Sequence, residues 1–159
     1  MKNRHGSATV TLPSDTEILI TRKFDAPAER IFRAWTTPEL VKRWWGFETS
    51  VWDVCEIDLR VGGTWRYVIR EGETEVGFHG RFEEIDRPTR IVCTETYEGV
   101  PNDEATSHNT MTLEEVDGVT TMTTRVLHKS REHRDMHIQS GMEGGMQVSY
   151  DRLEDVVVS

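Results

Sequence analysis

The chain has 159 residues, 36% of them hydrophobic and 30% charged, which suits one ordinary domain with room for a sizeable core. Its net charge is −9, and the excess sits in residues 61–159, which carry ten basic and nineteen acidic groups against nine and nine in residues 1–60. Such a surface disfavours nucleic-acid backbones and anionic lipid as partners, and no stretch approaches the ~20 apolar residues of a membrane span.

The first fourteen residues are polar and lack the apolar segment of a secretory signal, so residues 1–14 are expected to fray as a tail, with one domain over 15–159. The two cysteines, Cys55 and Cys93, lie far apart without CxxC spacing, which fits buried thiols in a reducing cytoplasm. "TEILITRKF" (16–24) alternates Ile18, Ile20 and Arg22 against Leu19, Thr21 and Lys23, the period of a strand. "DAPAERIFRAWT" then opens a short helix, with Asp25 as a possible cap, Pro27 in the first turn and Ile31, Phe32 and Trp35 as the apolar face. "TPELVKRWWG" repeats the grammar with Thr37 as cap, Pro38 in the first turn and Gly46 as the stop.

From Val51 to Leu127 six strand-like segments follow. They are separated by turn signals at Gly62-Gly63, Glu71-Gly72, Asp86-Arg87-Pro88, Gly99 through Asp103, and Asp117-Gly118. Spacing of roughly a dozen residues with tight connections argues an antiparallel meander. Ser130 then caps a final helix, with Glu132 in its first turn. Met142, Met146, Ser149, Leu153 and Val156 recur at helical steps, and Ile138 extends the stripe backwards. Three glycines interrupt this helix, although each should cost roughly 0.5–1 kcal/mol relative to alanine. Gly141 and Gly145 fall on the shoulder of the stripe, where they either let the sheet approach closely or leave a hollow. Gly144 points away from it.

"ITRKFDAPAERIFRAWTTPELVKRWWG", "DLRVGGTWRY", "GRFEEIDRPTRIVCTETYEG" and the glycine-interrupted last helix resemble the Hsp90-ATPase-activator-homologue-like family. That family belongs to the START/Bet v 1-like, or polyketide cyclase/dehydrase-like, superfamily. The resemblance covers about residues 16–157. It implies an α+β helix-grip fold: a seven-stranded antiparallel sheet wrapped around a long C-terminal helix, two short helices after the first strand, and an enclosed cavity. It also implies a ligand-binding, cyclase or hydrolase role, or a chaperone-regulating one. Where many members carry a tryptophan after the first helix glycine, this chain has Met142, which could reshape the cavity.

Aromatic and methionine residues concentrate on segments that would face such a cavity: Trp44, Trp45, Trp65, Tyr67, Phe78, Phe82, Met111, Met122, Met142 and Met146. They describe a mostly apolar pocket with few polar anchors. His79, Glu95, His108 and Asn109 lie on strands, and any that points inward is a candidate acid, base or anchor. Strand parity places His79 outside, opposite to Phe78, Gly80 and Phe82, and leaves the side of Glu95 open. His133 and His137 stand at i, i+4, a spacing that can serve a metal, but position 134 is arginine where an HExxH site needs glutamate, so no metal is assigned. Asp58 and Arg60 are read as a structural pair at a strand end. No GxSxG elbow, phosphate loop or other catalytic motif is present. The expectation is therefore a cofactor-free monomer or homodimer that binds a small hydrophobic molecule. The alternatives are an enzyme acting on such a molecule in the same cavity, and an interaction module regulating an Hsp90-type ATPase.

Overall fold

The computed structural model describes residues 4–46, 49–100 and 105–158. In chain order they form β1 (Thr9–Thr11), β2 (Glu17–Phe24), α1 (Ala28–Thr36), α2 (Pro38–Trp44), β3 (Val51–Ile57), β4 (Thr64–Glu71), β5 (Thr74–Asp86), β6 (Arg90–Tyr97), β7 (Thr106–Val116), β8 (Val119–Leu127), α3 (Arg131–Gln139) and α4 (Met142–Val158). All strands join one antiparallel sheet in the order β1-β2-β8-β7-β6-β5-β4-β3. From β3 to β8 each strand pairs with the next, the pattern that short turns enforce. At the Asp117-Gly118 turn both residues have positive φ, as a type I′ two-residue hairpin requires. Of the turn expected over 99–103, residues 101–103 lie outside the described residues.

The sheet has eight strands where seven were expected. The extra one, β1, comes from the segment expected to fray, and its order has a physical cause. Val10 pairs with Ile20, and the side-chain amide of Gln147 on α4 bonds both backbone groups of Ala8, at 3.1 and 2.7 Å. Asp151 also accepts from the Gly6 N–H at 2.9 Å. Side chains far along the chain thus complete the pairing that β1 cannot supply alone.

Register fixes the concave face. Ile18, Ile20, Arg22 and Phe24 of β2 pair with Val126, Thr124, Met122 and Thr120 of β8, so these side chains share one side. Arg22 is 1% exposed among them. A buried guanidinium needs partners, and α4 supplies them: Glu154 and Asp151 each accept from it at 3.0 Å. Its guanidinium also lies 4.7 Å from the centre of the Phe24 ring. Tyr150, Leu153 and Val157 complete the buried stripe of α4, and full burial of an apolar side chain contributes ~1.5–3 kcal/mol.

Two expected caps differ. Asp25 does not cap α1 but pairs with Arg4 at 3.0 Å, and Glu115 from β7 accepts from the Ala28 N–H at 2.8 Å instead. Thr37 makes no side-chain cap bond, whereas Ser130 accepts from the His133 N–H. The single last helix is also corrected. It breaks into α3 and α4 because Gly141 takes φ +84°, which closes α3 after Ser140 and restarts the chain as α4.

Candidate functional site

The concave face carries two clusters. The first is aromatic. Trp45, just past α2, lies 5.6 Å from Trp52 of β3, 5.1 Å from Tyr67 of β4 and 5.4 Å from Phe78 of β5, ring centre to ring centre. Trp65 stacks 4.7 Å from Tyr67. Its indole N–H crosses Gly80 to donate to the Thr94 carbonyl at 3.2 Å, and a Cβ at Gly80 would stand 2.5 Å from that nitrogen. Trp45, Trp52 and Phe78 are only half-buried, whereas Trp65 and Tyr67 are buried.

The second cluster is polar. Asn109 of β7 pairs with Cys93 of β6, and Ser107 pairs with Glu95, so all four share a face. Ser107 Oγ donates to Asn109 Oδ1 at 2.9 Å, and Asn109 Nδ2 donates to Glu95 Oε1 at 3.0 Å. Burial pushes the Glu95 carboxyl above its usual range, and the Asn109 bond opposes this only in part. Its charge in turn helps to raise Tyr67, Cys93 and Tyr150, which places it near all three, although burial is the larger cause at each. The thiols are correspondingly inert: burial pushes Cys93 up to about 12 and Cys55 up to about 11.

Met142 and Met146 pack against the core yet remain half-buried. A Cβ built on half-buried Gly145 would meet no atom within 4 Å. The glycine therefore does not let the sheet approach; it borders open space. Gly141 and Gly144 are exposed, with nothing within 4 Å either.

The remaining candidates take other places. Trp44 is 1% exposed and belongs to the helix packing, donating to the Ala34 carbonyl at 3.0 Å with Trp35 at 4.7 Å. Met122 is 1% exposed and pairs with Arg22 and Leu113 in register, while Phe82 and Met111 are buried on the concave face. His79 and His108 lie on the convex side, bonded to Glu98 at 2.8 Å and Glu83 at 2.9 Å. Glu98 also takes both arms of Arg66, which lowers its carboxyl pKa. His133 and His137 do not face one another. His133 turns to Ser130 Oγ at 2.9 Å, and His137 Nδ1 meets His128 Nε2 at 3.0 Å. Among the described residues no three His, Cys, Asp or Glu side chains gather as metal ligands. Asp58 and Arg60 pair at 2.8 Å on the surface beside Gly63, where a Cβ would stand 2.1 Å from the Asp58 carbonyl oxygen. Two open hollows elsewhere, one between α1, α2 and α4 and one near the β7–β8 turn, include arginine or lysine in their lining and no aromatic ring.

The family model described as "Activator of Hsp90 ATPase homolog 1-like protein" matches residues 25–158. The chain belongs to this family. As in the family, its α+β architecture of a large antiparallel sheet and a C-terminal helix is a helix-grip fold. The match begins after β2, so Arg22 and the N-terminal strand lie outside it. A crystal structure of a protein from Rhodobacter sphaeroides is 25% identical, with a TM-score of 0.86 over 95% of this chain and 97% of that one. Protein Ms6760 from Mycobacterium smegmatis is also 25% identical, with a TM-score of 0.83 over 94% and 96%. A solution structure from Arthrobacter aurescens shows 25% identity and a TM-score of 0.82 over 94% and 91%. No curated protein matches the sequence. No helix among the described residues is long and apolar enough to cross a membrane.

Proposed function

We propose that this member of the family binds a small, largely hydrophobic molecule between the concave sheet face and the N-terminal half of α4. Trp45, Trp65, Tyr67 and Phe78 form one wall, and Met142 and Met146 the other. One observation carries the reading: Gly145 is half-buried yet borders open space, flanked by methionines that the core only partly covers. Aromatic rings and polarizable thioethers suit an apolar guest of variable shape. The binding is non-covalent, because neither thiol is poised to react.

Native mass spectrometry of the purified protein, before and after organic extraction, tests this. Stripped protein should gain a defined adduct when supplied with a hydrophobic extract, and its melting temperature should rise. A thermal-shift screen of hydrophobic compounds without one stabilising hit would contradict it.

A second reading, cyclase or hydrolase chemistry on the same molecule, has one observation in its favour. A titratable carboxyl lies on the concave face at Glu95, held by a hydrogen bond from Asn109, and a carboxyl is the kind of group a general acid or base needs. That reading requires the bound molecule to change mass on incubation, which the same spectra report.

A further inference from the structure

The Ser107–Asn109–Glu95 chain lies on the concave face and ends in a carboxyl oxygen, Glu95 Oε2. Ser107, 4% exposed, donates to Asn109 Oδ1 at 2.9 Å. The Asn109 Nδ2 group donates in turn to Glu95 Oε1 at 3.0 Å. Among the described residues Glu95 Oε2 accepts no hydrogen bond, and no lysine, arginine or histidine pairs with the carboxyl. Tyr67 on β4, Cys93 on β6 and Tyr150 on α4 feel the charge of this carboxyl, and none of them offers a positive one. A carboxylate with no cation is costly to keep beside such groups, whereas a neutral carboxyl is not. With Oε1 occupied as an acceptor, the proton belongs on Oε2, which then becomes a donor.

We propose that Glu95, oriented by Asn109 and Ser107, is the polar anchor of this site and donates a hydrogen bond from Oε2 to the oxygen of a neutral, largely hydrophobic ligand such as an aryl ketone. The inference rests on the binding reading above and narrows it to one ligand class. A hydrocarbon leaves the donor unmet. An amine needs the ionised carboxylate. A carboxylate ligand meets a like charge whenever Glu95 ionises.

Because burial raises the Glu95 carboxyl above its ordinary range, the anchor keeps its proton to higher pH than an ordinary carboxyl does and loses it as pH rises further. Tyr67, Cys93 and Tyr150 are all held at higher pH, the latter two at about 12, so they do not titrate in that interval.

The test uses three probes of one shape: 2-acetylnaphthalene, its isostere 2-isopropenylnaphthalene, and 1-(2-naphthyl)ethylamine. Binding is read by quenching of the tryptophan fluorescence between pH 5 and 9. The ketone should bind about tenfold tighter than its isostere at pH 5, the value of one well-made hydrogen bond. The preference should shrink as pH rises. Glu95→Gln, whose amide still donates, should keep the preference and lose its pH dependence. Glu95→Met should bind ketone and isostere alike, and retained binding of the isostere shows that the variant is folded. Equal binding of ketone and isostere to the unaltered protein overturns the anchor while leaving the binding site standing, and so does strongest binding of the amine. If none of the probes binds, the site itself is overturned and the anchor with it.

Discussion

Arg22 is the residue that ties sheet to helix. That it shares a face with Ile18 and Ile20 was legible, because these three alternate with Leu19, Thr21 and Lys23 in "TEILITRKF". Its purpose was not, because Asp151 and Glu154 lie about 130 positions further along. Removing the guanidinium would leave two carboxylates facing each other against an apolar wall. Arg22→Met should therefore destabilise the fold by roughly 3 kcal/mol, the usual cost of breaking a buried pair from one side. Urea melts check this, and a loss below ~1 kcal/mol would mean that the pair is solvated and dispensable. Glu95 shows the converse limit. Both sides of β6 carry polar residues, so parity alone could not choose its face, and only the pairing of β6 with β7 decides it. Trp52 was missed for a related reason: a register shift between Trp52 and Val54 breaks the alternation that would have marked it as inward.

The last helix shows what periodicity can and cannot report. A stripe was legible from Met142 to Val156, although the buried side of α4 is carried by Tyr150, Leu153 and Val157. The break at Gly141 was not legible, because three glycines in five residues look alike in a sequence. Backbone conformation separates them. Gly141 holds φ +84°, where any side chain is strained, so Gly141→Ala should destabilise by about 1 kcal/mol. Gly144 is exposed with open space around it, so Gly144→Ala should stabilise by roughly 0.5–1 kcal/mol. Gly145→Leu meets no atom at Cβ and should keep stability while filling the gap and weakening probe binding. Urea melts of the three variants give the signs, and a Gly145→Leu protein that binds probes normally would show that the space beside it is not the site.

The docking of α3 adds a pH dependence. His128, at the end of β8, contacts His137 of α3, and burial lowers the pKa of His128 to about 4, with the charges of His137, His133 and Arg134 acting in the same direction. The unfolded chain takes up that proton near pH 6.5, the folded chain only near 4. Between these values the unfolded state binds more protons, so stability is full above pH 6.5 and falls as pH drops towards 4. His137 is lowered by burial and adds to the same slope. Thermal melts at pH 7 and pH 4.5 should show a smaller loss for His128→Gln than for the unaltered protein; equal losses would remove the histidine pair from the account.

Across the whole molecule the order of elements was legible because its signals are local, turn residues at regular intervals and period-two strands, whereas the helix-grip fold was implied by the family resemblance alone. Legibility stopped where partners are distant, as in β1, whose edge is completed by Gln147 and Asp151 from the other end of the chain. The same limit applied to the site, where the aromatic and methionine residues could be named but not sorted. Trp44 and Met122 went to tight packing, and Met142 and Met146 to the open side. That sorting can be measured directly. The chain has six methionines, and 13C-methyl spectra resolve them individually. On titration with 2-acetylnaphthalene, the methyl signals of Met142 and Met146 on α4 should shift together in a saturable manner. Met136, 58% exposed on α3, should stay in place. Saturable binding that moves Met136 and leaves Met142 and Met146 unchanged would contradict a site between α4 and the concave sheet.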